Sequence, residues 1–250
     1  GVIMNVLIIN HYAIPPDEPG ITRHYSFGKE LIKRGHQVTV LAANFNHQKR
    51  IPIVNDDKKV FAKYYDEVPF IWVNVPSYKG NSPARAYNML SFSRVIMANK
   101  YFKDMEKPDI VIGSSPHLFA AFAAQRLAKR WGKPFVLEVR DLWPQSLIDL
   151  GKVSPKHPVV KAMARLERYL YNRADKIITP LPGAHQYIEQ VGIDPDKTVW
   201  IPNGIDFSMF LEKKNELNNE KFTVMYAGNH GLGNGLETIL ECAEILQEKG

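Results

Sequence analysis

Three short stretches carry residues whose types and spacing could do chemistry: GITRH (20–24), GSSPH (113–117) and EVRDLWP (138–144). In the first, Gly20 removes a side chain where a backbone must approach a ligand, and Thr22 is placed to cap a following helix. The free N–H groups of residues 21–24, with the helix dipole, make an anion site. Arg23 adds a planar cationic fork suited to phosphate or carboxylate, with His24 beside it. In the second stretch, Ser114, Ser115 and His117 gather two hydroxyls and an imidazole at a strand's end, where His11 from the first strand can meet them. In the third, Glu138, Arg140 and Asp141 end an apolar run, where charges are costly unless paired or facing a cleft. Arginine stays protonated and cannot act as a base, so Arg140 suits the electrostatic holding of an anion. The competing reading is an internal bridge, Arg140–Asp141 or Arg140–Glu138, that only orders the loop. A fourth stretch, YAGNHGLGNGLE (226–237), spaces glycines at 228, 231, 233 and 235, so its backbone N–H groups can wrap phosphates.

Several other chemistries are excluded. The loop after the first apolar run has a single glycine, Gly20, where a dinucleotide fingerprint needs three. No H-x-H pair or His/Asp cluster has ligand spacing, so no metal site is expected. No G-x-S-x-G elbow occurs, which removes the common serine hydrolase plan. Asp194-Pro195-Asp196 spells D-x-D, a manganese-site pattern, but within GIDPDKT it reads as turn chemistry. His47 reads as a solvated loop residue, and Trp143-Pro144 as packing.

The elements that must position these residues alternate. Apolar runs at 4–10, 37–43, 60–65, 70–75, 109–113, 134–139, 176–181 and 198–202 read as strands, with 60–65 and 70–75 a strand pair or one bent strand. Helical stretches fall at about 22–34, 83–107, 117–131, 157–174 and 184–192. Continuous Val/Ile strands alternating with helices imply an α/β fold, a Rossmann-like parallel sheet covered by helices on both faces. Ligands of such sheets bind at the carboxyl ends of the strands, where GITRH, GSSPH and EVRDLWP stand. Residues 4–205 are expected to form this domain, and the Asn-rich, charged 206–221 a linker. Residues 222–250 read as the first strand and helix of a second, truncated α/β domain.

Of the 250 residues, 32 Lys plus Arg against 26 Asp plus Glu give a net charge of +6 and favour acidic partners. The apolar runs are shorter than the ~20 residues a membrane span needs. The lone cysteine, Cys242, cannot form an intrachain disulfide, and a reducing cytoplasm is the simplest home.

The chain resembles glycosyltransferase family four, the retaining enzymes of the two-domain GT-B architecture, and within it the bacterial O-antigen and capsule transferases, including a fucosamine-transferring branch. The stretches that carry the likeness are MNVLIINHYAIPPDEPGITRHYSFGKELIKRGHQVTVLA, VLEVRDLWPQSL, IPNGID and MYAGNHGLGNGLETIL, in the family's order. The resemblance implies transfer of a sugar from a nucleotide-sugar, UDP-linked, to a lipid-linked or glycan acceptor with retention. The first domain of such enzymes mostly handles the acceptor, and the second binds the nucleotide. On this likeness Arg140, Asp141 and His117 are expected to be catalytic. Gly20, Arg23, His24, His11, Ser115 and Glu138 are expected to bind substrate. Gly228, Asn229, Gly233 and Asn234 would bind the nucleotide-sugar. Relatives often carry a histidine where this chain has Arg140, and an arginine and a lysine near Asn229 and Asn234. No cofactor and no nucleic-acid partner is implied.

The rival readings are a nucleotide-sugar epimerase of similar two-domain build and a non-enzymatic binder of phosphate polymers or lipid. A basic, aromatic-rich stretch, residues 77–103, is expected to touch an anionic membrane surface, peripherally and from the cytoplasmic side.

Overall fold

The computed structural model describes residues 2–80, 83–149, 153–205, 223–228, 230–231 and 234–249. The chain divides into two units, Gly1–Ile205 and Asp206–Gly250.

The first unit is one eight-stranded sheet in the order β3-β4-β2-β1-β5-β6-β7-β8. Its strands are β1 (Asn5–Ile9), β2 (Gln37–Ala43), β3 (Val60–Tyr65), β4 (Val68–Val73), β5 (Ile110–Ser115), β6 (Phe135–Val139), β7 (Lys176–Thr179) and β8 (Thr198–Trp200). All neighbours pair in parallel except β3 and β4, which form an antiparallel hairpin at the edge. The expected pair at 60–75 is therefore a hairpin, closed by Asp66 at φ 50. The helices of this unit are α1 (Arg23–Lys33), α2 (Pro83–Met97), α3 (Leu118–Trp131), α4 (Gln145–Asp149), α5 (Pro158–Arg173) and α6 (Ala184–Gln190).

Both faces of the sheet are covered, as continuous apolar strands require. In β1, Leu7 and Ile9 pack into the large cluster with Ala124 and Leu127 of α3, while Val6 and Ile8 face Phe27 and Leu31 of α1. Two glycines set how closely helices approach. A Cβ on Gly113 would meet Ala124 Cβ at 2.7 Å, and one on Gly28 would meet Val68 Cγ1 at 2.8 Å.

Strand order reverses on either side of β1, since β2 follows it on one flank and β5 joins on the other. The loops after β1 and β5 thus open a crevice between them, where open α/β sheets bind ligands.

Some local expectations are corrected. Thr22 precedes α1 but makes no capping hydrogen bond. The helix expected over 83–107 ends at Met97 and is followed by a short 3-10 turn, after which Phe102 enters the core. Helix α4, of five residues, was not anticipated. Asp194 Oδ1 accepts the Asp196 N–H at 3.0 Å, so the D-x-D sequence is a closed turn.

The second unit contains α7 (Glu237–Lys249). Its expected first strand is not formed at residues 223–227, and the expected linker 206–221 lies outside the described residues. No helix among the described residues is long and apolar enough to cross a membrane.

Candidate functional site

The first turn of α1 does not face the crevice with its charges. Arg23 is buried, and its Nε donates to Glu138 Oε1 at 2.8 Å. Its two remaining nitrogens donate to the backbone oxygens of Ile201 and Pro202, each at 2.8 Å, and to Asn203 Oδ1 at 3.3 Å. The second Glu138 oxygen accepts from His24 Nε2 at 2.6 Å. Asn10 Oδ1 accepts the Tyr12 N–H, so its amide nitrogen is turned toward His24 and donates to Nδ1 at 3.1 Å. Nε2 is then the nitrogen that carries a proton to Glu138. Burial alone would push the Glu138 carboxyl up. Its interaction with His24 and the hydrogen bonds from His24 and Arg23 hold it well below the usual carboxylate range.

This node joins three residues expected to bind substrate. Arg23 and His24 pair with Glu138, and Arg23 also holds the Ile201 and Pro202 carbonyls and the Asn203 side chain. The physical reason is burial: an ionised carboxylate inside a sheet must be paired, and the nearest cation comes from α1. The internal bridge to Glu138, the competing reading for Arg140, is made by Arg23 instead.

At the crevice itself, His11 after β1 meets His117 after β5, with ring centroids 4.8 Å apart. Tyr12 stacks edge-on against His11 at 4.5 Å, and His47 lies against Tyr12 at 5.0 Å. His117 caps α3: its Nδ1 accepts the Ala120 N–H at 3.3 Å, which leaves the ring proton on Nε2. That Nε2 is buried with no hydrogen-bond partner. Desolvation, with Arg85 nearby, lowers His117 to about 3. Desolvation and His117 lower His11 well below 6.5 as well. Asn88 lies beside His11, yet neither ring nitrogen closes a hydrogen bond. Both imidazoles are neutral at physiological pH.

In front of this aromatic group is a cleft of about 380 Å³. Gly20, Arg140 and Asp141 line it, together with Tyr12, His47 and Arg85. Because Arg23 and His24 occupy Glu138, Arg140 makes no ion pair among the described residues. Its backbone N–H donates to Ser115 Oγ at 3.2 Å, so Ser115 helps to order the loop that carries Arg140. Partial burial pushes the Asp141 carboxyl up, and Arg140 pulls it back. The facing loops are tied together: Asn46 donates to Glu18 Oε2 at 2.6 Å, and Lys49 pairs with the same oxygen at 2.8 Å.

Gly20 sits at φ +135, and a Cβ there would meet Ile14 Cδ1 at 2.7 Å. The backbone of the loop requires glycine, whatever ligand enters. Asn10, Tyr12, Arg85 and Asn203 belong to the site or its support and were not singled out from sequence. His47, read there as a solvated loop residue, is exposed but lines the cleft. In the second unit, Asn234 N–H donates to Gly231 O at 2.9 Å, and Gly228 lies against the Tyr226 ring. Asn229 and Gly233 lie outside the described residues.

The arrangement puts two permanent cations, Arg85 and Arg140, and the Asp141 carboxyl around the cleft, with the neutral imidazoles of His11 and His117 behind Tyr12. Such a set has the chemistry to hold an anion beside a hydroxyl group, with arginine supplying charge and not a base.

Comparison with known proteins follows the same lines. The sequence profile of the glycosyl transferase 4-like domain matches residues 20–204. WcaI of Escherichia coli (strain K12), which carries the name of a colanic acid biosynthesis glycosyl transferase, is 26% identical over 155 residues. That match covers 57% of this chain and 38% of WcaI, so the chain spans well under half of that relative. Among solved structures, sucrose-phosphate synthase from Thermosynechococcus elongatus superposes with a TM-score of 0.59 at 13% identity, over 82% of this chain and 49% of that one. A shorter chain of the same synthase gives 0.53 at 11% identity, over 81% of this chain and 91% of that one.

Proposed function

This chain belongs to the glycosyl transferase 4-like domain family, and from that premise we propose that it supplies the acceptor side of a retaining, GT-B sugar transferase. The donor is a nucleotide-sugar, UDP-linked, and the acceptor a lipid-linked or glycan hydroxyl in cell-surface polysaccharide assembly, in the O-antigen or capsule class. The observation that carries the reading is the cleft at the β1/β5 switch point, lined by Gly20, Arg140 and Asp141.

In this mechanism Arg140 stabilises the negative charge that develops on the leaving diphosphate. Attack and departure take place on the same face of the sugar, and the leaving phosphate takes the acceptor proton. His117 and His11, neutral and buried behind Tyr12, position the acceptor and do not exchange protons with it. Asp141 orients an acceptor hydroxyl by accepting its hydrogen bond. The glycine-rich sequence 226–237 is our candidate for holding the donor phosphates. Catalysis is then placement plus charge stabilisation.

The protein works peripherally on the cytoplasmic membrane face. On α2, Tyr87, Leu90 and Arg94 follow helical spacing on the side away from Phe92 and Ile96, which are buried. An exposed aromatic, an apolar and a basic residue in one stripe suit an anionic interface.

The test is transfer from radiolabelled UDP-sugars to lipid extracts by the complete gene product, wild type against Arg140→Gln. Donor-dependent product lost in the variant supports the reading. Conversion of the donor alone to an epimer sinks it.

A further inference from the structure

A second cavity, of about 490 Å³, opens between α4, α5 and α6. Its buried floor is Glu167, whose two carboxyl oxygens accept from Tyr171 Oη at 2.9 Å and Tyr187 Oη at 3.1 Å. No ion pair among the described residues neutralises this carboxyl. Burial pushes it up to about 7, so near neutrality it is in part ionised. Ile148, Val160 and Val191 form apolar walls, and Lys161, Arg165 and Arg168 stand on α5 at the rim.

Two features restrict what can fill such a space. An acyl chain would lay hydrocarbon against the Glu167 carboxyl, which has lone pairs beyond the two its tyrosines use and is in part ionised near neutrality. A simple amine would suit the floor but meet three cations at the mouth. The occupant must bring hydrogen-bond donors to the floor and an acid to the rim, within the size of a small ligand site.

We propose that this cavity is a second carbohydrate site for a sugar bearing an acidic group, with ring hydroxyls donating to Glu167 and the acid held by Lys161, Arg165 and Arg168. Tyr187 contributes a ring edge and its hydroxyl beside the same carboxyl. The segment between β6 and α4 joins this cavity to the cleft, because Arg140 and Asp141 line the cleft and Pro144 lines the second cavity. An occupant therefore leans on the loop that carries Arg140. The proposal goes beyond the transfer reading and is measured without turnover.

The experiment is calorimetric titration of this 250-residue chain with glucose 1-phosphate, glucuronate, glucose and inorganic phosphate. Glucose 1-phosphate or glucuronate is expected to bind, which also tells a phosphate from a carboxylate acid, with glucose and phosphate weaker by about tenfold or more. Glu167→Gln keeps an acceptor for the tyrosines, and Arg165→Ala changes an exposed side chain. Each is expected to weaken binding by about tenfold while circular dichroism stays native. Arg140→Ala is expected to leave it intact. Binding lost in Arg140→Ala but kept in Glu167→Gln would assign the sugar to the cleft and overturn the proposal. Equal affinity for inorganic phosphate, or no binding by either acidic sugar, would overturn it as well.

Discussion

Arg23 Nε and Glu138 Oε1 meet at 2.8 Å although 115 residues separate them, and the same guanidinium holds the backbone oxygens of Ile201 and Pro202. One side chain thus ties the first helix, the end of β6 and the segment after β8. Removing it leaves a buried carboxylate without its arginine and two carbonyls without donors. Arg23→Ala is expected to destabilise the fold by about 3–5 kcal/mol. The loss with Glu138→Ala should be clearly less than additive, because the two share one interaction. The folded Glu138 carboxyl lies below its ordinary 4.5, so its contribution is fully present above that pH and fades as pH falls further. Urea melts of the two single variants and the double variant measure this. Wild-type stability for Arg23→Ala would return the arginine to a substrate role.

Gly20 tests backbone against ligand. Its φ of +135 is a region L-residues rarely adopt, and Ile14 Cδ1 already lies where a Cβ would go. Gly20→Ala is expected to lower stability by about 1–3 kcal/mol. Trimming Ile14 to Ala in the same chain should not restore it, because the strain is in the backbone. Thermal melts decide the matter. A Gly20→Ala protein as stable as wild type, yet inactive, would place the requirement on the ligand alone.

How far these facts could be read from sequence depends on their range. NVLII and QVTVLAA announced β1 and β2, because a strand buried on both faces reads as a nearly continuous apolar run. The meeting of His11 and His117 was also legible, since both follow strands that flank the point where the sheet order reverses. The fate of Arg23 was not. A cation at a helix start and a carboxylate at a strand end look like two ligand-binding groups until the fold turns them toward each other. The same holds for Glu167, which sits in the helical run PVVKAMARLERYLYNR among polar neighbours and gives no sign of being buried. Periodicity reports which face is apolar, not which charge closes inside.

Glu167 makes a pH prediction of the opposite sign to Glu138. Its folded value is raised from 4.5 to about 7, so the native state holds the proton more tightly than the unfolded chain. Its stabilising effect is present below pH 4.5 and is lost as pH rises toward 7. Glu167→Gln removes the titration and keeps an acceptor. Relative to wild type, the variant should gain on the order of 3 kcal/mol between those limits. Parallel melting curves for the two proteins across that range would show that the carboxyl does not titrate there.

The α2 stripe predicts how the protein meets a membrane. Tyr87 is 58% exposed and Leu90 42%, with Arg94 one turn further on. Sedimentation with phosphatidylglycerol vesicles should fall as salt rises, since exposed charges are screened over about 10 Å at 0.1 M. Arg94→Glu should reduce binding to anionic vesicles, and Tyr87→Ser binding to both anionic and neutral ones. Equal partition of wild type and Arg94→Glu would remove the electrostatic part.

The last prediction separates charge from proton transfer at the cleft. Arg140 lines it without an ion pair of its own, whereas His117 and His11 stand behind Tyr12 in neutral form. If Arg140 acts on the leaving phosphate, Arg140→Gln in the complete gene product should lower kcat by about 10²–10³ with a smaller change in KM. Arg140→Lys should recover part of that loss if a point charge suffices, and little if two parallel hydrogen bonds are needed. His117 is lowered to about 3 and His11 well below 6.5, both by burial. The kcat profile of the wild type should therefore be free of an inflection from either imidazole near pH 6.5. An inflection near 6.5 that disappears in His117→Asn would make His117 a proton carrier and displace Arg140 from the centre of the mechanism.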